Sequence, residues 1–253
     1  MKSQLVIEIS DSAVRFACLK GGEVQSVDFL KFKDKTDIGY KEALDVFVKS
    51  KGYREVDYDD YSLSWCTEIS SLIPNNVYSE TSSEDILRLS YNEVVPQGYL
   101  DHNRIPELSI VNVFSIPLWV KSFFVIRFPR IIIQHEGSHL LHGLLNTSTF
   151  TLQVSLVLHE DNFNITITNS NDLEFYSYFD YENEDDIIYH LMYCLQQKNL
   201  LNKKGTILLC AGVGANDQLI ISLKLKLDKI KDLGQLKHKI NSHLLLNYQS
   251  LCV

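Results

Sequence analysis

No stretch of this chain is apolar for long enough to cross a bilayer. The most apolar window, Ile110–Ile133, is interrupted by Pro117, Lys121, Arg127, Pro129 and Arg130, well short of the roughly 20 continuous apolar residues that a spanning helix needs. The N-terminus, Met1–Ile9, has Lys2 and Glu8 around a short strand pattern and lacks the apolar core of a secretory signal. Cysteine is scarce and odd in number: Cys18, Cys66, Cys194, Cys210 and Cys252 are scattered without a C-x-x-C pair, which excludes a disulfide framework and a zinc ribbon. Basic charge is also in deficit, with 24 Lys and Arg against 32 Asp and Glu and a net charge of -8. That balance disfavours a broad grip on nucleic-acid phosphates, and the local run of lysines over Lys224–Lys239 reads as a solvated face. The expectation is a cytoplasmic protein in a reducing compartment, with no membrane association and no nucleic acid as direct ligand.

What the chain does have is alternation. Leu152, Val154, Leu156 and Leu158 alternate with Gln153, Ser155, Val157 and His159, and Phe163, Ile165 and Ile167 repeat the pattern, the period of half-buried strands. Leu173–Phe179 makes a third strand after the Asn169–Asp172 turn. Glu184, Asp185 and Asp186 then open a helix to Gln196, with Ile187, Ile188, Leu191, Met192 and Leu195 at spacings of three and four. The same order occurs near the N-terminus. Gln4–Ile9, Ala13–Lys20 and Glu23–Lys31 read as strands, turned at Asp11-Ser12 and Gly21-Gly22, and Thr36 or Asp37 caps a helix running to Lys51. A fourth strand follows in each copy, Tyr61–Cys66 and Thr206–Cys210. Repetition of four consecutive elements points to a duplicated α/β protein, with lobes over residues 1–147 and 148–253 and a boundary at Asn146–Thr149. Between the copies, Ser82–Leu89, Pro117–Ile126 and Leu140–Leu145 read as helices, Val111–Ile116 and Arg130–Gln134 as strands, and Asn92–Pro106 as a polar loop. After the second copy, Asn216–Lys226 reads as a helix, Asp228–Lys231 as a short strand and Gln235–Tyr248 as a closing helix.

The duplicated order of three antiparallel strands, helix, strand, helix and strand resembles the ribonuclease-H-like duplication of the actin-like ATPase superfamily. The strings Ser71-Leu72-Ile73-Pro74, Val111-Asn112-Val113-Phe114-Ser115-Ile116-Pro117 and Arg127-Phe128-Pro129, followed by Phe179 and Glu184-Asp185-Asp186-Ile187-Ile188-Tyr189, resemble a bacterial family called domain of unknown function 3822. The resemblance implies two ribonuclease-H-like lobes of mixed five-stranded sheets flanked by helices. It carries no established activity. Its members' gene order beside an rRNA methyltransferase implies a link to ribosome biogenesis.

The superfamily resemblance also implies a nucleotide cleft, with ATP and magnesium as its cofactors, and marks the positions to inspect. Two strand-turn-strand loops would cradle phosphate by backbone N–H groups, each with an acid for the metal's water shell. In the first loop Glu8 stands at the expected Asp and Ser10 at the expected Gly, beside Asp11 and Ser12. In the second, Val157 falls at the expected Asp, no Gly is present, and Glu160 and Asp161 would repel phosphate. Leu209-Cys210-Ala211-Gly212-Val213-Gly214 resembles the Gly-rich turn that approaches adenosine. Glu8, Ser10, Asp11, Ser12, Gly212 and Gly214 are therefore read as a vestigial cleft in a pseudo-ATPase that binds an unknown protein partner or acts as a scaffold. The alternative is a divergent nucleotide-binding switch or kinase.

A second alternative is a zinc metallopeptidase. His135-Glu136-Gly137-Ser138-His139 spells H-E-x-x-H, which holds zinc when both histidines share one helix face. The β-branched run Ile131-Ile132-Ile133 before it reads as a strand ending at His135, and Gly137 weakens a helix. A helix that starts only at Glu136 separates the two histidines. His142, three residues on, and Glu160 are conceivable third ligands. His159, Glu160 and Asp161 otherwise read as a solvated turn, Cys18 and Cys210 as small buried hydrophobes, and Phe175, Tyr176, Tyr178, Phe179 and Tyr181 as an aromatic strand with members on both faces.

Overall fold

A computed structural model of the chain describes residues 1–92, 97–146 and 151–252. Strands β1 (Ser3–Ile9), β2 (Ala13–Lys20) and β3 (Glu23–Lys31) form an antiparallel meander. The second hairpin turns on Gly21 and Gly22, both at positive φ (59° and 82°), a conformation that glycine adopts without steric cost. Helix α1 (Asp37–Ser50) starts at Thr36, whose hydroxyl accepts from Gly39 N at 3.1 Å, and β4 (Asp60–Trp65) returns parallel to β1.

An insertion follows, in which β5 (Ser70–Pro74), β6 (Leu100–Ile105) and β7 (Ile110–Ser115) form a three-stranded antiparallel sheet packed by α2 (Ser83–Tyr91). Then α3 (Leu118–Arg127) leads to β8 (Ile132–His135), which pairs parallel with β4, and to α4 (Glu136–Asn146).

The second copy is β9 (Leu152–Leu158), β10 (Asn162–Asn169), β11 (Asp172–Asp180), α5 (Glu184–Gln197), β12 (Gly205–Ala211), α6 (Asp217–Leu227) and β13 (Leu236–Ile240), with α7 (Leu244–Ser250) closing the chain. The large sheets run β3-β2-β1-β4-β8 and β11-β10-β9-β12-β13. Each is an antiparallel meander whose first strand pairs in parallel with a fourth strand, which in turn pairs in parallel with a fifth, so the duplication holds strand for strand.

The chain forms two compact units, Met1–Gly143 with Leu246–Val253, and Leu144–Leu245. In the first, Leu5, Ile7 and Phe16 bury against Leu44 and Phe47 of α1 and Phe124 of α3. In the second, Leu156, Phe163 and Ile165 bury against Ile187, Leu191 and Leu223 of the helices. Full burial of each such side chain contributes about 1.5–3 kcal/mol, which makes these faces the main stabilising element of each unit.

Residues 246–253 rejoin the first unit, where the second lobe had been read as extending through 253. Leu246 packs on Val6, Ala17 and Leu19, and Gln249 Nε2 donates to Ile7 O at 2.9 Å. Gly143 permits this approach, since a Cβ there would overlap the Tyr248 ring.

Three expectations are corrected. The closing helix over Gln235–Tyr248 is strand β13 followed by the short helix α7, and Asp228–Lys231 is no strand but the exit of α6 into a 3-10 turn. Leu236 and His238 turn inward while Lys237 and Lys239 face solvent, a period of two that the parallel pairing with β12 exploits. The loop Asn92–Pro106 contains β6. Of the boundary Asn146–Thr149, residues 147–149 lie outside the described residues. Lys224 and Lys226 pair with Asp228, Glu184 and Asp185, as expected of a solvated face. No helix among the described residues is long and apolar enough to cross a membrane.

Candidate functional site

The β1–β2 hairpin is the first phosphate-loop candidate, and the backbone donors of Ser10, Ser12 and Ala13 are already taken. The Ser10 hydroxyl accepts from Ser12 N at 3.2 Å and from Ala13 N at 3.3 Å, and it shares a hydrogen bond with Ser12 Oγ at 3.0 Å. Ser10 N donates to Ala13 O, and Tyr40 Oη donates to Asp11 O, each at 2.9 Å. Asp11 faces solvent, where Lys35 approaches to only 4.0 Å, an exposed pair that contributes little. Ser10, at the position read as an expected Gly, adds more than a Cβ: its hydroxyl is the acceptor for two amides of the turn.

Glu8 lies directly across the hairpin from Arg15. Arg15 Nε donates to Glu8 Oε2 at 2.6 Å and Nη2 contacts the same oxygen, with Glu8 fully buried and Arg15 9% exposed. The Glu8 carboxylate is therefore neutralised by a guanidinium of its own sheet. Arg15 escaped sequence reasoning, although the register was available: a hairpin centred between Asp11 and Ser12 sets residue 8 opposite residue 15.

The H-E-x-x-H segment divides between two elements. His135 ends β8 opposite Trp65, whereas Glu136 opens α4, so the two histidines do not share a helix face. Gly137 N donates to His135 Nδ1 at 3.0 Å, which makes Nδ1 an acceptor, and Asn112 Nδ2 donates to it at 3.0 Å. Nε2 then carries the proton and donates to Thr67 O at 2.8 Å. Both ring nitrogens are bound within the protein and neither is left for a metal.

His139 is 1% exposed, with Nδ1 3.3 Å from Ser64 Oγ and Nε2 without a hydrogen-bond partner among the described residues. Burial, with His142 and His135 nearby, lowers its pKa to about 3, so the ring is neutral. His142 turns to Glu107 at 3.2 Å. Cys66 is buried beside Glu136 and Glu8, and desolvation followed by those carboxylates pushes its thiol well above the usual range. It is a protonated, inert group. Among the described residues no three His, Cys, Asp or Glu side chains are grouped to hold a metal ion.

In the second unit the β9–β10 turn closes through His159 N to Asn162 O at 2.9 Å, and Val157 is buried in β9. His159 was read as part of a solvated turn. The structure packs it instead, 7% exposed, with its imidazole on Gly212. A Cβ on Gly212 would overlap that ring and stand 2.8 Å from Leu158 O, and Gly212 N donates to Leu158 O at 2.7 Å. Gly212 thus serves the close approach of two loops. Gly214, at φ 81°, reverses the chain toward α6, whose cap Asn216 accepts from Gln218 N at 2.9 Å. Glu8, Ser10, Asp11 and Ser12 belong to the first unit and Gly212 and Gly214 to the second.

Of the remaining candidates, Cys18 Sγ meets Tyr58 Oη at 3.1 Å, and burial raises the Cys210 thiol. On β11, Phe179 stacks on His190 (4.3 Å, 24°) and lies beside Phe163, while Tyr176 and Tyr178 meet edge to face on the opposite side of the strand. Tyr181 Oη donates to His159 O at 2.6 Å, and burial raises its pKa to about 12.

No curated protein matches the chain in sequence. Among solved structures, it is similar to a Bacteroides thetaiotaomicron VPI-5482 protein with actin-like ATPase fold and unknown function. The TM-score is 0.77 at 14% identity, over 98% of this chain and 96% of that one. It is also similar to the PilM-PilN type IV pilus biogenesis complex (0.59, 8%, covering 98% of each chain). A third likeness is to the ethanolamine utilization protein EutJ from Carboxydothermus hydrogenoformans (0.55, 6%, 98% of this chain and 88% of that one). At these identities the likeness shows the fold, an actin-like ATPase fold with ribonuclease-H-like halves. Residues 1–226 match the family described as "Protein of unknown function (DUF3822)", and the chain belongs to that family.

Proposed function

We propose that this chain is a catalytically inactive member of the actin-like ATPase fold, a cytoplasmic pseudo-ATPase that works as a binding or scaffold module. One observation carries the reading: the first phosphate loop is occupied by the protein's own groups, Ser10 on the amides of Ser12 and Ala13 and Arg15 on Glu8. Phosphoryl transfer depends on positioning and on neutralising charge with a metal ion. Freeing Glu8 for a cation would break its buried pair with Arg15, at a cost of about 3–5 kcal/mol, a factor of hundreds to thousands in affinity. Releasing the two amides from Ser10 adds about 1 kcal/mol for each hydrogen bond. His159 on Gly212 supports the same reading in the second unit, since the imidazole packs on the Gly-rich turn that resembles an adenosine-approaching one.

Without chemistry, what remains is recognition. A solved neighbour of this fold is a complex of two proteins, PilM-PilN, which supports a protein partner, and the family's implied link to ribosome biogenesis names where to look for it. Isothermal titration with ATP and magnesium is the direct test, and neither micromolar binding nor hydrolysis is expected. Magnesium-dependent micromolar binding with turnover would replace the scaffold reading by a nucleotide switch or kinase. Metal analysis of the purified chain should find no stoichiometric zinc. One zinc per chain that is lost in His139→Ala would restore the peptidase reading.

A further inference from the structure

We propose that the cavity framed by Arg54, Arg127 and Arg130 in the first unit is a binding site for a phosphomonoester. The cavity, of about 210 Å³, lies between the connection from α1 to β4 and the connection from α3 to β8, with Tyr61 and Phe128 in its floor. Its lining holds three guanidiniums and a single carboxylate, Asp57. Asp45 adds a second negative charge behind Arg127, so the site keeps an excess of one positive charge in a chain whose net charge is -8.

The arginines are held in ways that leave donors available. Arg127 is fixed by Nε and Nη2 on Asp45 (2.8 and 2.6 Å), by Nη1 on Phe123 O (3.1 Å) and by the Phe123 ring 3.7 Å beneath its guanidinium. Such a group loses little freedom when a ligand arrives. Arg130 uses Nη2 alone, for Asp57 at 2.7 Å and Tyr58 O at 3.0 Å, which leaves Nε and Nη1 to face a ligand. Arg54 has no acceptor among the described residues, and a guanidinium stays charged with five donors at any physiological pH.

The choice of ligand follows from charge, oxygen count and size. A phosphomonoester carries a charge of about −1.5 to −2 near neutral pH and three terminal oxygens, one for each guanidinium, and arginine binds such oxygens in pairs. A carboxylate offers two oxygens and one charge. The cavity alone is smaller than the roughly 300–1,000 Å³ of pockets that enclose a whole ligand of drug size, so it takes the phosphoryl group itself. A second cavity of about 470 Å³ adjoins this one through Arg54 and gives room to the group that carries the phosphate. That group is either a small ester or a phosphorylated side chain of a protein. The site is separate from the Ser10 loop and does not rest on the scaffold reading.

The test is isothermal titration of the whole chain with inorganic phosphate, phenyl phosphate and a tyrosine-phosphorylated peptide, repeated on Arg54→Gln and on the double variant Arg54→Gln/Arg130→Gln. Both side chains are at the surface, so the melting temperature should stay unchanged. Saturable binding of phosphate without magnesium is expected, weakened about tenfold or more in the double variant, with tighter binding of whichever ester fits the adjoining cavity. Preference for phenyl phosphate assigns a small ester, and preference for the peptide assigns a phosphoprotein. No saturable heat from any of the three probes, or equal binding by wild type and both variants, would overturn the proposal.

Discussion

The Glu8–Arg15 pair decides more than any other contact, because both charges are out of water. Removing one partner breaks a buried ion pair, so Arg15→Leu and Glu8→Gln are each expected to destabilise the chain by about 3–5 kcal/mol, read as urea midpoints at constant m-value. The double variant Glu8→Leu/Arg15→Leu should recover most of that loss, since replacing a buried pair by apolar side chains is often neutral. Gly212→Ala should cost about 1–3 kcal/mol through overpacking against His159 and Leu158 O, and pairing it with His159→Ala should recover part of it. His139 gives a pH signature. Its pKa of about 3 in the folded chain lies below the unfolded value of about 6.5, so the unfolded state takes up a proton that the native state refuses. Stability therefore rises with pH across that window and falls as pH drops from about 6.5 toward 3. In His139→Gln the slope of unfolding free energy against pH should flatten by one proton. At this scale the sequence was legible where local chemistry ruled, as for Thr36 at its cap and His135 ending a strand. It was less so for Ser10, whose effect depends on where its hydroxyl points, and for the three arginines, which tertiary folding alone brings to one cavity.

Elements were easier to read than residues, for a reason visible in two of the three errors. Leu236, Ile240 and Leu244 are spaced by four, and residues four apart share a side on a helix and on a strand alike. The lysines at 237 and 239 break the tie, and β12 as a parallel neighbour settles it. The strand β6 was missed because Leu100–Ile105 is mostly polar and half-exposed, so alternation gave no contrast. Where caps and periodicity agree, boundaries came within one or two residues, as in α5. Its capping box joins Asn183 to the backbone of the first turn and Asp186 back to the backbone of the cap. Asn183→Ala should destabilise the second unit by about 1 kcal/mol, measured as a lower midpoint for the transition that its tyrosines report.

Across the whole chain, the same strand order in both large sheets is the duplication that the repeated element order implied, and the solved neighbours agree on the fold. On the proposed reading, the architecture has been kept while the phosphate-binding positions have been put to other uses: an internal ion pair, a serine-closed turn, and a histidine packed on a glycine. The most direct measurement is a titration of the intact protein with ATP and magnesium, paired with a phosphate-release assay. The expected result is no magnesium-dependent binding in the micromolar range and no release of phosphate above buffer. Micromolar, magnesium-dependent binding with turnover, abolished by Glu8→Gln, would show that Arg15 gives way to a metal and would contradict the pseudo-ATPase reading at its centre.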